Sequence, residues 1–399
     1  MRAVIRRDGR LVVDEMAAPT PAPGQLLART LVCGICGSDL HALDHYDHMI
    51  DLGRRLGGFD GMRKNTDTVF GHEFCCEVLE GGGAFKAGDV VVSMPVLIGP
   101  TGAATIGYSS DVPGAFAETI VISEMLTLPV PNGLSPEHAA LTEPLAVGEH
   151  AVAMADPQPD HVFLVIGCGP VGLAVIASLK TRGLGPIVAA DDSPERRAAA
   201  ERMGADRIVD PAQVSPHASW KELGVPANAG EGLIAAAMGQ AVKRPLIFEC
   251  VGVPGMLQAL AEQAPAGARI VVAGVCLERD QIEPLAFITK QIELRFVLGY
   301  SREEFAKSLE NLAEGRTRYN EIRGGLGRNA GRLRRLQTDK SQIKIMVAPG
   351  SRRALSYPAA ADSASALPAR SKRSGGRPGC RSRPDWKRRE PEADGLFCA

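Results

Sequence analysis

A chain of 399 residues, 45% hydrophobic and 23% charged with a formal net charge of −1, has the composition of a water-soluble globular protein and enough length for two domains, each with its own core. No run reaches the roughly 18 apolar residues of a membrane span, and Met1-Arg2-Ala3-Val4-Ile5-Arg6-Arg7 has no apolar stretch behind its charges, so neither a membrane span nor a secretory leader is expected. Nine cysteines, an odd number without framework spacing, fit a reducing cytoplasm rather than a disulfide scaffold.

In chain order, residues 1–150 read as a β-rich domain with short helices. Ala3–Ile5, Leu11–Val13, Gln25–Cys33, Phe74–Glu80, Asp89–Met94 and Phe116–Ile122 are short β-branched runs separated by Gly and Pro. The spacing predicts a helix over Asp39–Arg55, a loop after it, and a long helical pattern over Pro136–Met154 interrupted at Pro144. From 151 to 297 the pattern changes. His161–Ile166 is the continuous apolar run of a strand covered on both faces. Helices at Pro170–Arg182, Pro194–Met203 and Pro254–Gln263 then alternate with strands at Pro186–Ala190, Pro245–Cys250 and Ala268–Ala273, the signature of a doubly wound parallel sheet. Phe296–Gly299 is expected to end that sheet, and the helix Glu303–Ala313 to open a segment, 298–350, that returns to the first domain.

Near residue 316 the chain changes character: 20 Lys+Arg against 7 Asp+Glu follow, while 25 against 39 precede, a net +13 after a net −14. Arg316–Leu336 lacks strand periodicity before a strand-like run resumes at Gln342–Val347. The composition of 316–336, and again after Gly350, is what an altered reading frame leaves. Residues 351–399 read as a basic, disordered tail. Tyr357, Trp386 and Phe397 are too scattered to stack bases, which argues against nucleic acid as a partner.

Three strings supply metal-ligand chemistry: Gly34-Ile35-Cys36-Gly37-Ser38-Asp39-Leu40-His41, Gly71-His72-Glu73 and Leu141-Thr142-Glu143-Pro144-Leu145. A thiolate, an imidazole and carboxylates are what Zn²⁺ accepts. The bland alternatives are that Cys36 is a buried thiol, as Cys33, Cys75, Cys76, Cys168, Cys250 and Cys276 are read to be, and that Glu143 is a helix-start carboxylate beside Pro144. His45 and His48 read as solvated. A fourth string, Gly167-Cys168-Gly169-Pro170-Val171-Gly172, follows a strand and opens a helix, as a dinucleotide fingerprint must. Asp191 lies 19 residues after Gly172. A carboxylate there accepts from the ribose hydroxyls and repels a 2′-phosphate, which favours NAD over NADP.

Together and in this order, from Met1 to about Gly315, the strings resemble the zinc-containing medium-chain dehydrogenase/reductases, the alcohol dehydrogenase superfamily; the Glu143 string is similar to the polyol and threonine dehydrogenase branch. The resemblance implies a GroES-like catalytic domain and a Rossmann cofactor domain. It implies zinc ligands at Cys36, His72 and either Glu73 or Glu143, with Asp39 orienting His72. Ser38 and His41 match a proton relay, and Gly167, Gly169, Pro170, Val171, Gly172 and Asp191 match NAD contacts. The implied activity moves a hydride between an alcohol or polyol and NAD, in a cytoplasmic homodimer or homotetramer. One departure stands out: where the family carries four closely spaced Cys for a structural zinc, Gly88 to Gly114 holds neither Cys nor His. A single catalytic zinc is therefore expected, with Pro95–Pro113 held by packing alone. Asp44–Phe70 is expected to form part of the substrate mouth. Two other readings are a family member that has lost catalysis and binds nucleotide or nucleic acid, and a zinc-free NADPH enone or quinone reductase. Intact Cys36, His72 and Asp191 oppose both.

Overall fold

The computed structural model describes residues 1–57, 61–100, 102–131, 133–327 and 343–350. The expectations placed on the basic tail, and on 328–342, lie outside the described residues.

The N-terminal part is an antiparallel β structure. In chain order it contains β1 (Arg2–Arg7), β2 (Arg10–Glu15), β3 (Gln25–Gly34), α1 (Gly37–Asp44), α2 (Tyr46–Leu56), β4 (Thr68–Val69), β5 (Glu73–Glu80), β6 (Val90–Ser93), β7 (Val96–Gly99), β8 (Gly102–Thr105), β9 (Thr119–Ser123), β10 (Thr127–Pro129), α3 (Pro136–Ala139) and α4 (Thr142–Ala155). Strand β3 is the centre of its sheet, pairing with both β5 and β9. Its inward residues Leu26, Ala28 and Cys33 join Phe70, Phe74 and Phe116 in one core.

Two expected helices are divided. Asp39–Arg55 breaks at His45, whose backbone leaves the helical region. Pro136–Met154 breaks before Pro144 rather than at it. Pro144 sits in the first turn of α4, where a missing N–H removes no intrahelical bond. The segment Pro95–Pro113 is also held differently from expectation: besides packing, the Ile106 amide donates to Pro95 (2.8 Å), Ile98 N–H to Ser123 Oγ (2.8 Å), and Gln25 Nε2 to the Ile98 carbonyl (2.8 Å). A β7–β8 hairpin needs such bonds because two strands alone bury too little to persist.

The second part is a six-stranded parallel sheet in the order β13-β12-β11-β14-β15-β16. Its elements are β11 (His161–Ile166), α5 (Pro170–Thr181), β12 (Ile187–Ala190), α6 (Pro194–Met203), β13 (Arg207–Val209), α7 (Ala229–Ala237), β14 (Arg244–Glu249), α8 (Met256–Gln263), β15 (Arg269–Val272), α9 (Pro284–Ile288) and β16 (Glu293–Phe296). Every residue of β11 is buried, as its unbroken apolar run requires.

The chain then returns through α10 (Arg302–Ala313) to β17 (Arg323–Gly327) and β18 (Lys344–Val347). Strand β18 pairs antiparallel with β3 and parallel with β17. Arg323–Gly327 lacks the alternation of a strand; its pairing comes from its neighbour, not from intrinsic preference.

Candidate metal and cofactor site

Cys36 is the N-cap of α1, and Asp39, three residues on, reaches back so that Oδ2 accepts from the Cys36 amide at 3.0 Å. The other oxygen, Oδ1, lies 3.3 Å from His72 Nδ1, and neither atom has a better partner among the described residues. One carboxylate thus sets both the turn that presents the thiol and the face of the imidazole. With Nδ1 turned toward Asp39, the other ring nitrogen is the one left for a metal, and Cys36 also acts on the ring. Burial opposes charge on His72, but Asp39 and Cys36 outweigh it and raise its pKa well above that of free imidazole.

His72 leads into β5, whose first residue is Glu73, and Glu73 pairs across the sheet with Gly34. A Cβ on Gly34 would lie 2.1 Å from Glu73 Oε2, so only glycine leaves room for this carboxylate. Ligand atoms of Cys36, His72 and Glu73 all lie within 4.8 Å of one another. Thiolate, imidazole and carboxylate in one small volume, with the imidazole held by a second carboxylate, fit a catalytic zinc.

Glu143, in the first turn of α4, is not within that set of ligand atoms, although His72, Glu73 and Lys344 all act on its charge. Burial, offset in part by His72, pushes its pKa up to about 7, and Tyr300 Oη donates to Oε1 at 3.1 Å.

Sequence reasoning missed three residues of this site. Lys344, on β18, is buried with Nζ 2.6 Å and 2.5 Å from the two oxygens of Glu73 and 3.2 Å from the Ile35 carbonyl. Burial works against its charge, but Glu73 and Cys36 hold its pKa above the usual lysine value. Tyr108 donates to Ser38 Oγ at 2.8 Å, and Tyr300 meets Glu143 as above. Burial raises both phenols well above their usual range, so both remain protonated donors. An isolated Lys or Tyr carries no motif; only the apolar run after Lys344 hinted at a buried strand. His41, one turn from Ser38 on α1, is half-buried, and burial together with His45 lowers its pKa, which favours the neutral imidazole.

The fingerprint forms the turn between β11 and α5. Gly167 has φ +87°, and a Cβ on Gly172 would meet the Gly167 carbonyl oxygen at 1.8 Å, so helix and turn approach as only glycines permit. Gly169, Pro170 and Val171 begin α5, whose first amides face the turn. A crevice of about 500 Å³ lies beside Gly167, Gly169, Asp191 and Arg196. Asp191 accepts from Cys168 N–H (2.7 Å) and Ser193 N–H (2.8 Å), and Arg196 Nη1 is 3.9 Å from it. An open turn at a helix start with a fixed carboxylate at its rim fits a dinucleotide. The two regions are joined by buried Tyr319, whose hydroxyl donates to the Pro170 carbonyl (2.9 Å) while Glu73, Glu143 and Cys36 act on its phenol.

Comparison with known proteins agrees with this geometry. The alcohol dehydrogenase GroES-like domain matches residues 22–132 and the zinc-binding dehydrogenase domain residues 170–314. An (R,R)-butanediol dehydrogenase of Bacillus subtilis is 29% identical over 359 residues, 84% of this chain and 96% of that protein. A sorbitol dehydrogenase of the same species is 28% identical over 329 residues, covering 78% and 86%. The crystal structure of 2R,3R-butanediol dehydrogenase from Bacillus subtilis superposes with a TM-score of 0.67 at 28% identity, covering 87% of this chain and 99% of that one. Fold and site define a two-domain zinc- and nicotinamide-dependent dehydrogenase. The chain belongs to the zinc-containing medium-chain dehydrogenase/reductases, and its activity is that of an alcohol or polyol dehydrogenase.

Proposed function

We propose that this enzyme oxidises an alcohol or polyol with NAD in preference to NADP, using a single zinc held by Cys36, His72 and Glu73. The convergence of those three ligand atoms beside Asp39 carries the reading. When bound, zinc supplies a Lewis acid that acidifies the substrate hydroxyl, and the nicotinamide accepts the hydride. The protein's own work is the rest. Asp39 fixes the His72 tautomer and Lys344 balances the Glu73 charge. Ser38 takes the substrate proton and His41 carries it outward. Tyr300 and Glu143 offer polar partners to a hydroxylated substrate. A preference for NAD is supported by the buried Asp191 carboxylate, and a single zinc by the absence of Cys and His from Gly88 to Gly114. Asp44–Phe70 is assigned to the substrate mouth.

A second copy of the chain is the proposed partner. Among the described residues strand β16 is an open sheet edge, and Leu285, Ile288, Phe296 and Leu298 on or beside it are 60–68% exposed. An unprotected edge with large apolar side chains is stabilised by pairing with its own copy in a homodimer, or in a tetramer built from it.

Cys36→Ser tests the core of the reading, because a hydroxyl is hardly ionised where a thiolate was. The wild-type chain is expected to bind one zinc; the variant should lose it and transfer no measurable hydride, yet still bind NAD more tightly than NADP in a fluorescence titration. Two zincs per wild-type chain, a zinc-free active variant, or tighter NADP binding would each remove the corresponding part of the proposal.

A further inference from the structure

We propose that Tyr108 is a positioning residue for proton release: its phenol donates to Ser38 Oγ and thereby fixes the direction in which Ser38 accepts and passes on the substrate's proton. This inference rests on the reading of Ser38 as the relay hydroxyl.

A serine hydroxyl carries one hydrogen and two lone pairs on a rotor that is free unless a partner holds it. At Ser38, the Tyr108 hydroxyl lies 2.8 Å from Oγ and occupies one lone pair. The remaining lone pair is left for the substrate hydroxyl, and the Ser38 hydrogen must point away, along the helix face shared with His41. A donated bond into Oγ also polarises the outgoing O–H, because hydrogen bonds in a chain strengthen one another. Once the substrate proton has moved to Ser38, the new Ser38 O–H donates back to the deprotonated substrate oxygen, while the proton Ser38 gave up leaves toward His41.

Tyr108 is built to do this. Its ring packs against His72 (centroids 5.3 Å apart) and Phe70 (5.9 Å), so the hydroxyl has little freedom to leave. The Tyr108 amide is bonded to the Thr105 carbonyl (3.1 Å), and the neighbouring Ile106 amide to Pro95 (2.8 Å). The residue therefore comes from the end of the β7–β8 hairpin, within the segment that has neither Cys nor His.

The test is a double-mutant cycle of Tyr108→Phe and Ser38→Ala in the zinc-loaded enzyme. Its substrate is the best one in a panel of alcohols and polyols, and it is read as the single-turnover rate of hydride transfer against pH. Phenylalanine keeps the ring on His72 and removes only the hydroxyl. Y108F should transfer hydride about 3–10-fold more slowly below neutral pH, the effect of one lost hydrogen bond. Its ascending pH limb should move to higher pH, while zinc content and NAD affinity are unchanged. In the S38A background the same change should do nothing further. Equal slowing by Y108F with and without Ser38, or slowing with no movement of the pH limb, overturns the proposal and leaves Tyr108 as a wall of the pocket. An S38A enzyme with wild-type rate and pH profile removes the relay itself. An impaired S38A beside an unimpaired Y108F removes only the role of Tyr108.

Discussion

At the scale of single residues, the Lys344–Glu73 pair decides how much charge the site tolerates. Both side chains are almost fully buried, 1% and 0% exposed, and the ammonium bonds both carboxylate oxygens. Lys344→Met leaves Glu73 as an uncompensated buried anion, a change that costs about 3–5 kcal/mol. The loss should be largest with a chelator present and smaller with zinc, because a divalent cation restores the missing charge. Denaturant unfolding of wild type and variant, with and without zinc, reads this directly; an equal deficit in both conditions would show that Lys344 acts only by packing. The residues legible in the sequence were those whose partners are near in the chain. Cys36, Ser38, Asp39 and His41 lie within six residues at the start of α1, and His72 and Glu73 are adjacent. Lys344 was invisible because its role depends on the register that places β18 against β3, 309 residues from its partner Ile35. Tyr108 and Tyr300 were missed for the same reason.

At the scale of elements, three helices meet at one buried carboxylate. Glu149 on α4 accepts from Ser178 (2.8 Å), from Arg182 (2.6 Å) at the end of α5, and from Lys307 (2.5 Å) on α10. One residue earlier, a Cβ on Gly148 would lie 2.4 Å from that of Ala174, so α4 and α5 touch backbone to backbone. Burial alone would raise the Glu149 pKa; Lys307, Arg182 and Ser178 outweigh it and hold the pKa below the usual carboxylate value. A depressed folded pKa contributes stability above the unfolded value of about 4.3, and that contribution fades as pH falls through the folded pKa. Glu149→Gln should therefore be about 1–3 kcal/mol less stable than wild type at pH 7, less than a fully buried pair because Lys307 is half exposed. The gap should close below pH of about 4. A gap that stays constant down to pH of about 3 would mean that shape, not charge, is being measured. Helices α5 and α6 were legible from a proline in the first turn behind an apolar strand, whereas β13 and α7 were not read at all and the last strand, β16, was placed at Phe296–Gly299, up to three residues late. The two strands are short, and their pairing is imposed by neighbours in the sheet.

At the scale of the whole molecule, the N-terminal β part is not continuous in sequence: β3 pairs with β5, β9 and the late strand β18. Alternation of β and α identified the parallel sheet from sequence, but nothing in Arg323–Gly327 announced a strand. A chain ending at Gly350 contains every residue of the site; one ending at Ile343 lacks β18 and Lys344. The first is expected to bind zinc and unfold cooperatively, the second to lose zinc and the cooperative melting of the β part. Metal content and circular dichroism of the two proteins separate these outcomes, and equal zinc retention would show that β18 is dispensable.

The same strand has a consequence for how the enzyme is made. Glu73 is synthesised 271 residues before Lys344. At about 5–20 residues per second the ribosome needs on the order of tens of seconds to bridge that interval. Throughout it, the nascent chain displays a thiol, an imidazole and carboxylates whose balancing cation does not yet exist. A metal captured in that window meets an open, anionic, solvent-accessible set of ligands with little selectivity among divalent ions. On the proposed ligand set, the charge of Glu73 is balanced only once the last strand has joined the sheet, so selectivity among metals is expected to be set at the end of synthesis and not at its beginning.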